Sequence, residues 1–335
     1  MPRDIAHEWT DKKLEKLENR IAKVYREAWD DLEKTVIDYF TAFEKRDEEM
    51  KKLIGTVQNG KEWTEQDYKQ WRLNQIGRGR RFEALRDQLA ERMTKANETA
   101  IAYVNDATPG IYSLNRNYAA YTIEQAAGNV GFTLWDESTV RRLIVENPGL
   151  MPFYPEKKAV KRGIDLAWGK QQITAAVTSG ILQGKSVGKI ASDLQKRIPE
   201  MNRSSAVRAA RTAVTGAQNG GRMDSYQAAA DMGIKVRKRW IATKDDRTRK
   251  SHRKLDGETV DWDKPFSNGL MYPGDPSGPG AEVYQCRCTL RTVEKPGIEA
   301  EPRKMRVRDP KTGKNILVNE MTYEQWERWV KSRGY

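Results

Sequence analysis

The stretch WIATKDDRTRKSHRKLDG, residues 240–257, lies where the hydrophobic pattern of this chain changes. Residues 234–241, which overlap the start of this stretch, alternate apolar with basic side chains. This alternation is the two-residue period of a half-buried strand. The preceding chain is dominated by helical spacing, whereas glycine- and proline-rich turns and a strand-like segment at 282–293 follow. Helices followed by a few irregular antiparallel strands predict an α+β fold.

Three parts are predicted around this stretch. Residues 1–155 form a mainly helical domain that ends in a proline-containing loop near Pro155. Residues 156–295 form a small α+β domain with a short antiparallel sheet, and residues 296–335 form a tail with a short C-terminal helix. Breaks in the helices are expected at 105–110 and at Pro199, because proline has no N–H to donate.

A long amphipathic helix is predicted near the N-terminus. Apolar residues recur every three or four positions from Leu14 to Phe43, with charged residues between them. This stripe is interpreted either as the core face of a bundle helix or as a seam that binds a partner helix.

Composition narrows the class of protein. No run of about 18 uncharged apolar residues occurs, so no membrane partner is expected. The N-terminus lacks the pattern of a signal peptide, which predicts synthesis into a cytoplasm-like compartment. Cys286 and Cys288 are separated by one residue, so a disulfide between them would be strained. The hydrophobic fraction of 38% and the charged fraction of 32% favour long exposed helices.

Basic residues are concentrated near the predicted strand. The net charge is +13, and residues 235–254 contain ten Lys or Arg against two acids. Clusters of this kind bind phosphate by releasing counterions, and double-stranded DNA is therefore one candidate partner. A solvated strand face is the other interpretation. The candidate DNA contacts are Lys235, Arg237, Lys238 and Arg239.

Beyond residue 257, further short motifs follow in a fixed order. The sequence YPGDP stands at 272–276 and CRC at 286–288. The order W-x-A-T-x-D-x-R-T-R-x-x-H-x-x-L-D-G, then P-G-D-P, then C-R-C, resembles the C-terminal domain of the phage Mu F-like minor head (head morphogenesis) proteins. The resemblance covers roughly residues 200–292, and Gln285 stands where many relatives have asparagine.

The resemblance implies a structural role and not an enzyme. It implies a minor capsid protein that associates with the phage portal protein inside the head, with the major capsid or scaffold protein and double-stranded DNA as further candidate partners. Its implied location is the virion, in the capsid interior or at the portal vertex, after assembly in the host cytoplasm. The alternative function is a DNA-binding or metal-dependent DNA-processing protein that uses the basic strand and His252.

The motif contains residue types that bind zinc. If Cys286 and Cys288 lie on a strand, both thiols face one side with Arg287 opposite. His252 would be a third ligand, and the fourth would be a water molecule or one of the candidates Asp246 and Asp256. A packing and hydrogen-bonding role for the cysteines and the histidine is the competing interpretation.

The charged residues of the motif favour a structural interpretation. Aspartate and arginine can pair within the domain, and Asp256-Gly257 is a turn signal. An internal polar network would then hold a small, loop-rich domain together. No phosphate-binding glycine loop or metalloprotease motif is present, so no catalytic residue is predicted. The structural motif residues are Trp240, Asp245, Asp246, Arg247, Arg249, Asp256 and Gly257.

Overall fold

The structure is a computed structural model that describes residues 4–127, 132–146, 166–293, 304–308 and 315–319. The helices are α1 (Ile5–Lys52), α2 (Glu65–Ile76), α3 (Gly79–Ala127), α4 (Glu137–Glu146), α5 (Leu166–Leu182), α6 (Val187–Asp231), α7 (Lys250–Lys254) and α8 (Gly280–Val283). The strands are β1 (Val57–Gln58), β2 (Lys61–Glu62), β3 (Arg237–Ile241), β4 (Thr259–Asp261), β5 (Thr289–Val293), β6 (Lys304–Arg308) and β7 (Asn315–Asn319). The predicted α+β class, mainly helical at the N-terminal end, is confirmed.

The two helix breaks predicted at prolines are wrong. Helix α3 continues through Pro109 and α6 continues through Pro199. At the first site the Thr108 hydroxyl lies 3.4 Å from the carbonyl oxygen of Asn105, the group that loses its N–H donor to the proline. Buried side chains flank both prolines, Val104 and Ile111 in α3 and Ile198 in α6. Tertiary packing therefore overrides the local preference of proline.

The chain divides into two compact units that are discontinuous in sequence. The sheet unit comprises residues 1–17, 104–153 and 208–335, and the helical unit comprises residues 18–103 and 154–207. The domain boundary predicted near Pro155 lies outside the described residues and stays a prediction. The C-terminal helix predicted in the tail also lies outside them, whereas β6 and β7, which were not predicted, pair antiparallel there.

The helical unit has a core formed largely by the apolar stripe of α1. Ile21, Leu32, Val36 and Phe40 are buried within the chain. The stripe is therefore the core face of a bundle helix, and the interpretation as an open seam for a partner helix is wrong. Three buried polar side chains of this unit form a chain of hydrogen bonds, in which the Tyr25 hydroxyl bonds to Asn97 and the Asn97 amide donates to Asn202 at 3.1 Å.

An ion pair is also buried in the helical unit. The Arg72 guanidinium lies 2.8 Å from the Asp47 carboxylate and donates to the Lys185 carbonyl oxygen at 2.7 Å. At the start of α2, Thr64 and Asp67 form a capping box, in which each side chain accepts the other residue's backbone N–H. No helix in the described ranges is both long and apolar enough to cross a bilayer.

The sheet unit is built on a three-stranded antiparallel sheet of order β4-β3-β5. Trp240 stands opposite Leu290 in the register of β3 and β5, and both side chains are fully buried. They share a core with Ala119 of α3, Tyr226 of α6 and Phe266. The alternation predicted for this strand is confirmed, since residues 238 and 240 are buried whereas 237 and 239 are not.

The C-terminal halves of α3 and α6 pack closely against each other in the sheet unit. Arg116 forms an ion pair with Asp224 at 2.8 Å, and the Tyr112 hydroxyl donates to the same carboxylate at 3.0 Å. The Ser225 hydroxyl donates to the carbonyl oxygen of Arg116 at 2.6 Å. Gly221 lies at the crossing, where its missing side chain lets the two backbones approach.

Candidate functional site

The structure brings together the three predicted zinc ligands. His252 is on the short helix α7, while Cys286 and Cys288 are in the segment directly before β5 and not on a strand. The imidazole Nδ1 lies 3.6 Å from the Cys286 sulfur and 3.5 Å from the Cys288 sulfur. All three side chains are buried. Both thiols therefore face the same group, while Arg287 forms an ion pair with Asp245.

Helix α6 holds the cysteine segment by its backbone. The Thr215 hydroxyl donates to the carbonyl oxygen of Cys286 at 2.6 Å, and the Asn219 amide donates to that of Cys288 at 3.2 Å. The Asn219 side-chain oxygen also accepts the backbone N–H of Leu290 at 2.9 Å. Asn219 thus pairs with the edge of β5 as a neighbouring strand would.

The other imidazole nitrogen faces a carboxylate that was not predicted as part of the site. His252 Nε2 lies 3.0 Å from Glu282 Oε2, close enough for an ion pair although the angle is not that of a hydrogen bond. The ring also packs edge-on against Trp240, with centroids 5.1 Å apart. Glu282 is on α8, at the start of the segment 282–293 that the sequence predicted to be strand-like.

The two thiols differ in their acidity. Hydrogen bonding to Cys288, together with burial, raises the pKa of the Cys286 thiol well above its ordinary value. Burial acts to raise the pKa of Cys288 as well, but hydrogen bonds from Cys286 and His252 outweigh it and lower that pKa. Cys288 is therefore the thiol of the pair that ionises more readily, and the thiolate is the form of cysteine that binds metals.

Asp245 forms the centre of the loop that precedes α7. It is bonded to Arg287, and it accepts the backbone N–H of Arg247 at 3.1 Å and the Thr248 hydroxyl at 3.0 Å. Burial acts to raise the pKa of Asp245, but the Arg287 guanidinium outweighs it, and the pKa is lowered. Asp245 is therefore committed to contacts within the chain.

The remaining motif residues also make internal contacts. Asp256 pairs with the buried Lys244 and accepts the backbone N–H of Ala242 at 2.9 Å. Gly257 has a φ of +85°, as its turn position requires, and it donates to the Trp240 carbonyl oxygen at 2.9 Å. Arg249 donates to the carbonyl oxygen of Tyr284, while the Asp246 side chain is exposed.

The four predicted DNA contacts do not share one face. Lys235 and Arg237 are exposed, and Arg239 is half-buried. Lys238 lies on the opposite face, where its ammonium is buried and donates to the Met271 carbonyl oxygen at 2.8 Å. Burial lowers the pKa of Lys238 to about 8. Lys238 is thus part of the core and unavailable to a nucleic acid.

A polar row on α6 was missed in the sequence. Thr215, Asn219 and Arg222 are spaced four and three residues apart, and each donates to the backbone of the segment from Cys286 to Leu290. The sequence contains a signal for this polar row. Residues at this spacing share one helix face, and the surrounding part of α6 is rich in alanine.

Comparison with known proteins confirms the resemblance drawn from the motif. Residues 171–291 match the family described as Phage Mu protein F like protein. The chain is 29% identical over 259 residues to the Minor head protein GP7 of Bacillus phage SPP1, an alignment that covers 75% of this chain and 80% of GP7. The chain therefore carries a phage Mu F-like domain, and its similarity to a minor head protein extends well beyond that domain.

A second relative is named as an enzyme. The chain is 36% identical over 136 residues to the NAD(+)–arginine ADP-ribosyltransferase EFV of Enterococcus faecalis, covering 40% of this chain but 28% of the transferase. Most of the transferase is thus outside the shared part. No solved structure matches this chain significantly.

Proposed function

We propose that this chain is a minor structural component of a phage head that is incorporated during head assembly through association with the portal protein. The observation that carries the proposal is the similarity to a minor head protein over 75% of the chain. Its location is then the virion, in the capsid interior or at the portal vertex. Other head proteins, such as the major capsid or scaffold protein, are the further candidate partners.

The geometry of the motif supports a structural role over an enzymatic one. Asp245 and Asp256, which would be the acidic groups of a catalytic site, are occupied by Arg287 and Lys244. A carboxylate held in this way stabilises a loop and is poorly placed to accept a proton from a substrate. Cleavage of DNA by the purified chain with magnesium, manganese or zinc, lost on His252→Ala, would contradict this interpretation.

Co-expression with the cognate portal protein tests the proposal. A tagged copy of the chain should co-purify with the portal, whereas the portal of an unrelated phage should not be retained. Procapsids purified from infected cells should contain the chain in few copies, detected by mass spectrometry. Absence of the chain from both the portal complexes and the procapsids would rule out the proposed role.

A second proposal, contact with duplex DNA, is supported by one face of the sheet. Arg239 stands directly opposite Arg291 in the register of β3 and β5, and Arg237 lies on the same face of β3. Arginines grouped on one face form a basic surface that can contact the phosphate backbone of duplex DNA.

The competing interpretation is that these arginines hold the edge strand in place. Arg237 lies 3.2 Å from Asp261 and donates to the Thr259 carbonyl oxygen at 3.1 Å, while Arg239 donates to the Thr259 hydroxyl at 3.0 Å. All three contacts are to β4. The ion pair is exposed, so its contribution to stability is small.

The double variant Arg237→Ala, Arg239→Ala distinguishes these interpretations. If about four basic residues reach phosphates, log affinity for DNA falls with log salt at a slope of about −4, and the variant should reduce that slope by about two. The measurement is fluorescence anisotropy over a salt series. The control variant Lys51→Ala, Lys52→Ala removes the same charge from exposed positions of α1 and should leave the slope unchanged. Loss of thermal stability with unchanged DNA affinity would favour the edge-strand interpretation.

A further inference from the structure

We propose that His252, Cys286 and Cys288 bind one zinc ion through the imidazole Nδ1 and the two sulfurs, with a water molecule as the fourth ligand. The three donor atoms lie within 4.8 Å of one another and are buried. Among the described residues they are the one group of histidine, cysteine and carboxylate side chains that comes together in this way. Thiolate and imidazole are the donors that zinc prefers.

The distances fit a tetrahedral ion. With zinc–sulfur bonds of about 2.3 Å and a zinc–nitrogen bond of about 2.0–2.1 Å, a tetrahedral angle places nitrogen and sulfur about 3.6 Å apart. The separations between His252 Nδ1 and the two sulfurs are 3.5 and 3.6 Å. An ion bound to Nδ1 and both sulfurs would therefore leave these two separations nearly unchanged.

The surroundings of the imidazole select the nitrogen that binds. Glu282 stands beside Nε2 at 3.0 Å, so Nδ1 is the nitrogen that faces the sulfurs. When an ion binds, the hydrogen bond between Nδ1 and Cys288 is replaced by a bond from the Nδ1 lone pair to the metal. A carboxylate on the far nitrogen is a recurrent feature of zinc-bound histidine, because it fixes the tautomer and raises the basicity of the ligand. Glu282 is thus a positioning residue for the site.

The cysteine backbone is fixed before any ion binds. Thr215 and Asn219 hold the carbonyl oxygens of Cys286 and Cys288, so that both sulfurs are presented to the same point. The two aspartates that the sequence offered as a fourth ligand do not lie in the cluster. Asp256 is paired with Lys244, and Asp246 is exposed and outside the cluster. A water molecule is the remaining donor for the fourth position.

The test is made on the full chain, purified under reducing conditions and passed over a chelating resin. Elemental analysis should find about one zinc per chain. Cobalt(II) added to the metal-free chain should produce the thiolate-to-metal charge-transfer absorption and the visible bands of a tetrahedral site. Because cobalt is added to the unaltered sequence, this measurement does not depend on whether any variant folds.

Variants then assign the ligands. Cys288→Ser and His252→Ala should each abolish the cobalt charge-transfer spectrum or reduce zinc affinity by more than a hundredfold, whereas His7→Ala, at the other histidine, should change neither. Glu282→Gln should retain the spectrum but weaken zinc binding by about 10–100-fold in a chelator competition. A folded, reduced chain that contains no zinc and gives no charge-transfer spectrum with cobalt overturns the proposal. So does an unchanged spectrum in His252→Ala. Neither result depends on portal association, because both are measured on the isolated chain.

Discussion

The variant Arg222→Met is expected to lower the free energy of unfolding of the sheet unit by about 3–5 kcal/mol, the cost of breaking a buried ion pair from one side. In the native chain the Arg222 guanidinium is buried and binds both oxygens of Asp4 at 2.9 Å. It also donates to the Asn115 side-chain oxygen at 3.0 and 3.1 Å and to the Leu290 carbonyl oxygen at 2.6 Å. Methionine fills part of the volume but leaves these acceptors without a donor.

Thermal unfolding measures this effect. For a unit of about 200 residues, a loss of about 3–5 kcal/mol corresponds to a fall in Tm of about 6–20 °C. Arg203→Met on the same helix is the matched control, because its ion pair with Glu200 is exposed and contributes at most about 1 kcal/mol. An equal fall in Tm in the two variants would show that the buried network stabilises the unit no more than an exposed ion pair does.

The same network predicts a pH dependence. Burial acts to raise the pKa of Asp4, but the Arg222 guanidinium outweighs it and lowers the pKa to about 2 from 3.8. Because the folded-state pKa lies below the unfolded value, this stabilisation is fully present above about pH 4 and is lost as pH falls towards 2. The stability difference between the native chain and Arg222→Met should therefore narrow over that range.

The sequence correctly predicted those features of the sheet unit that depend on neighbouring residues. The alternation before Trp240 placed β3 correctly, and the one-residue spacing of Cys286 and Cys288 correctly placed both thiols on one side. Both predictions depend on the period of two in an extended chain, which needs no knowledge of distant contacts. The burial of Lys238 could have been expected from the same alternation, since it precedes Trp240 by two residues.

Contacts between distant residues could not be predicted in this way. Arg222 and Asp4 are 218 residues apart, and neither has a local signal for a buried ion pair. Pro109 and Pro199 gave misleading signals. Proline breaks an isolated helix, whereas tertiary packing of the flanking residues keeps α3 and α6 continuous through these prolines. Glu282 was missed because the sequence placed it at the start of the strand-like segment 282–293, whereas it lies on α8 and the strand begins only at Thr289.

The second large effect concerns the crossing of α3 and α6. Gly221→Ala is expected to destabilise the sheet unit by about 2–3 kcal/mol, near the upper end for overpacking. A methyl group there would overlap the carbonyl oxygen of Tyr112 and lie 3.2 Å from the backbone nitrogen of Arg116. Both are backbone atoms, so relief requires the two helices to move apart. That movement would also lengthen the contacts of Asp224 with Arg116 and Tyr112.

Intrinsic helix propensity alone predicts the opposite sign for this substitution. Alanine is favoured over glycine by about 1 kcal/mol in a helix interior. Gly188→Ala, in the first turn of the same helix, is the control without overlap, because Gly188 is exposed and an added methyl group would meet no atom closer than 3.5 Å. The expected result is a Tm that falls for Gly221→Ala and is unchanged or higher for Gly188→Ala. If Gly221→Ala proves as stable as the native chain, the close approach of α3 and α6 at Tyr112 is wrong, and with it the geometry that brings Asp224 to Arg116.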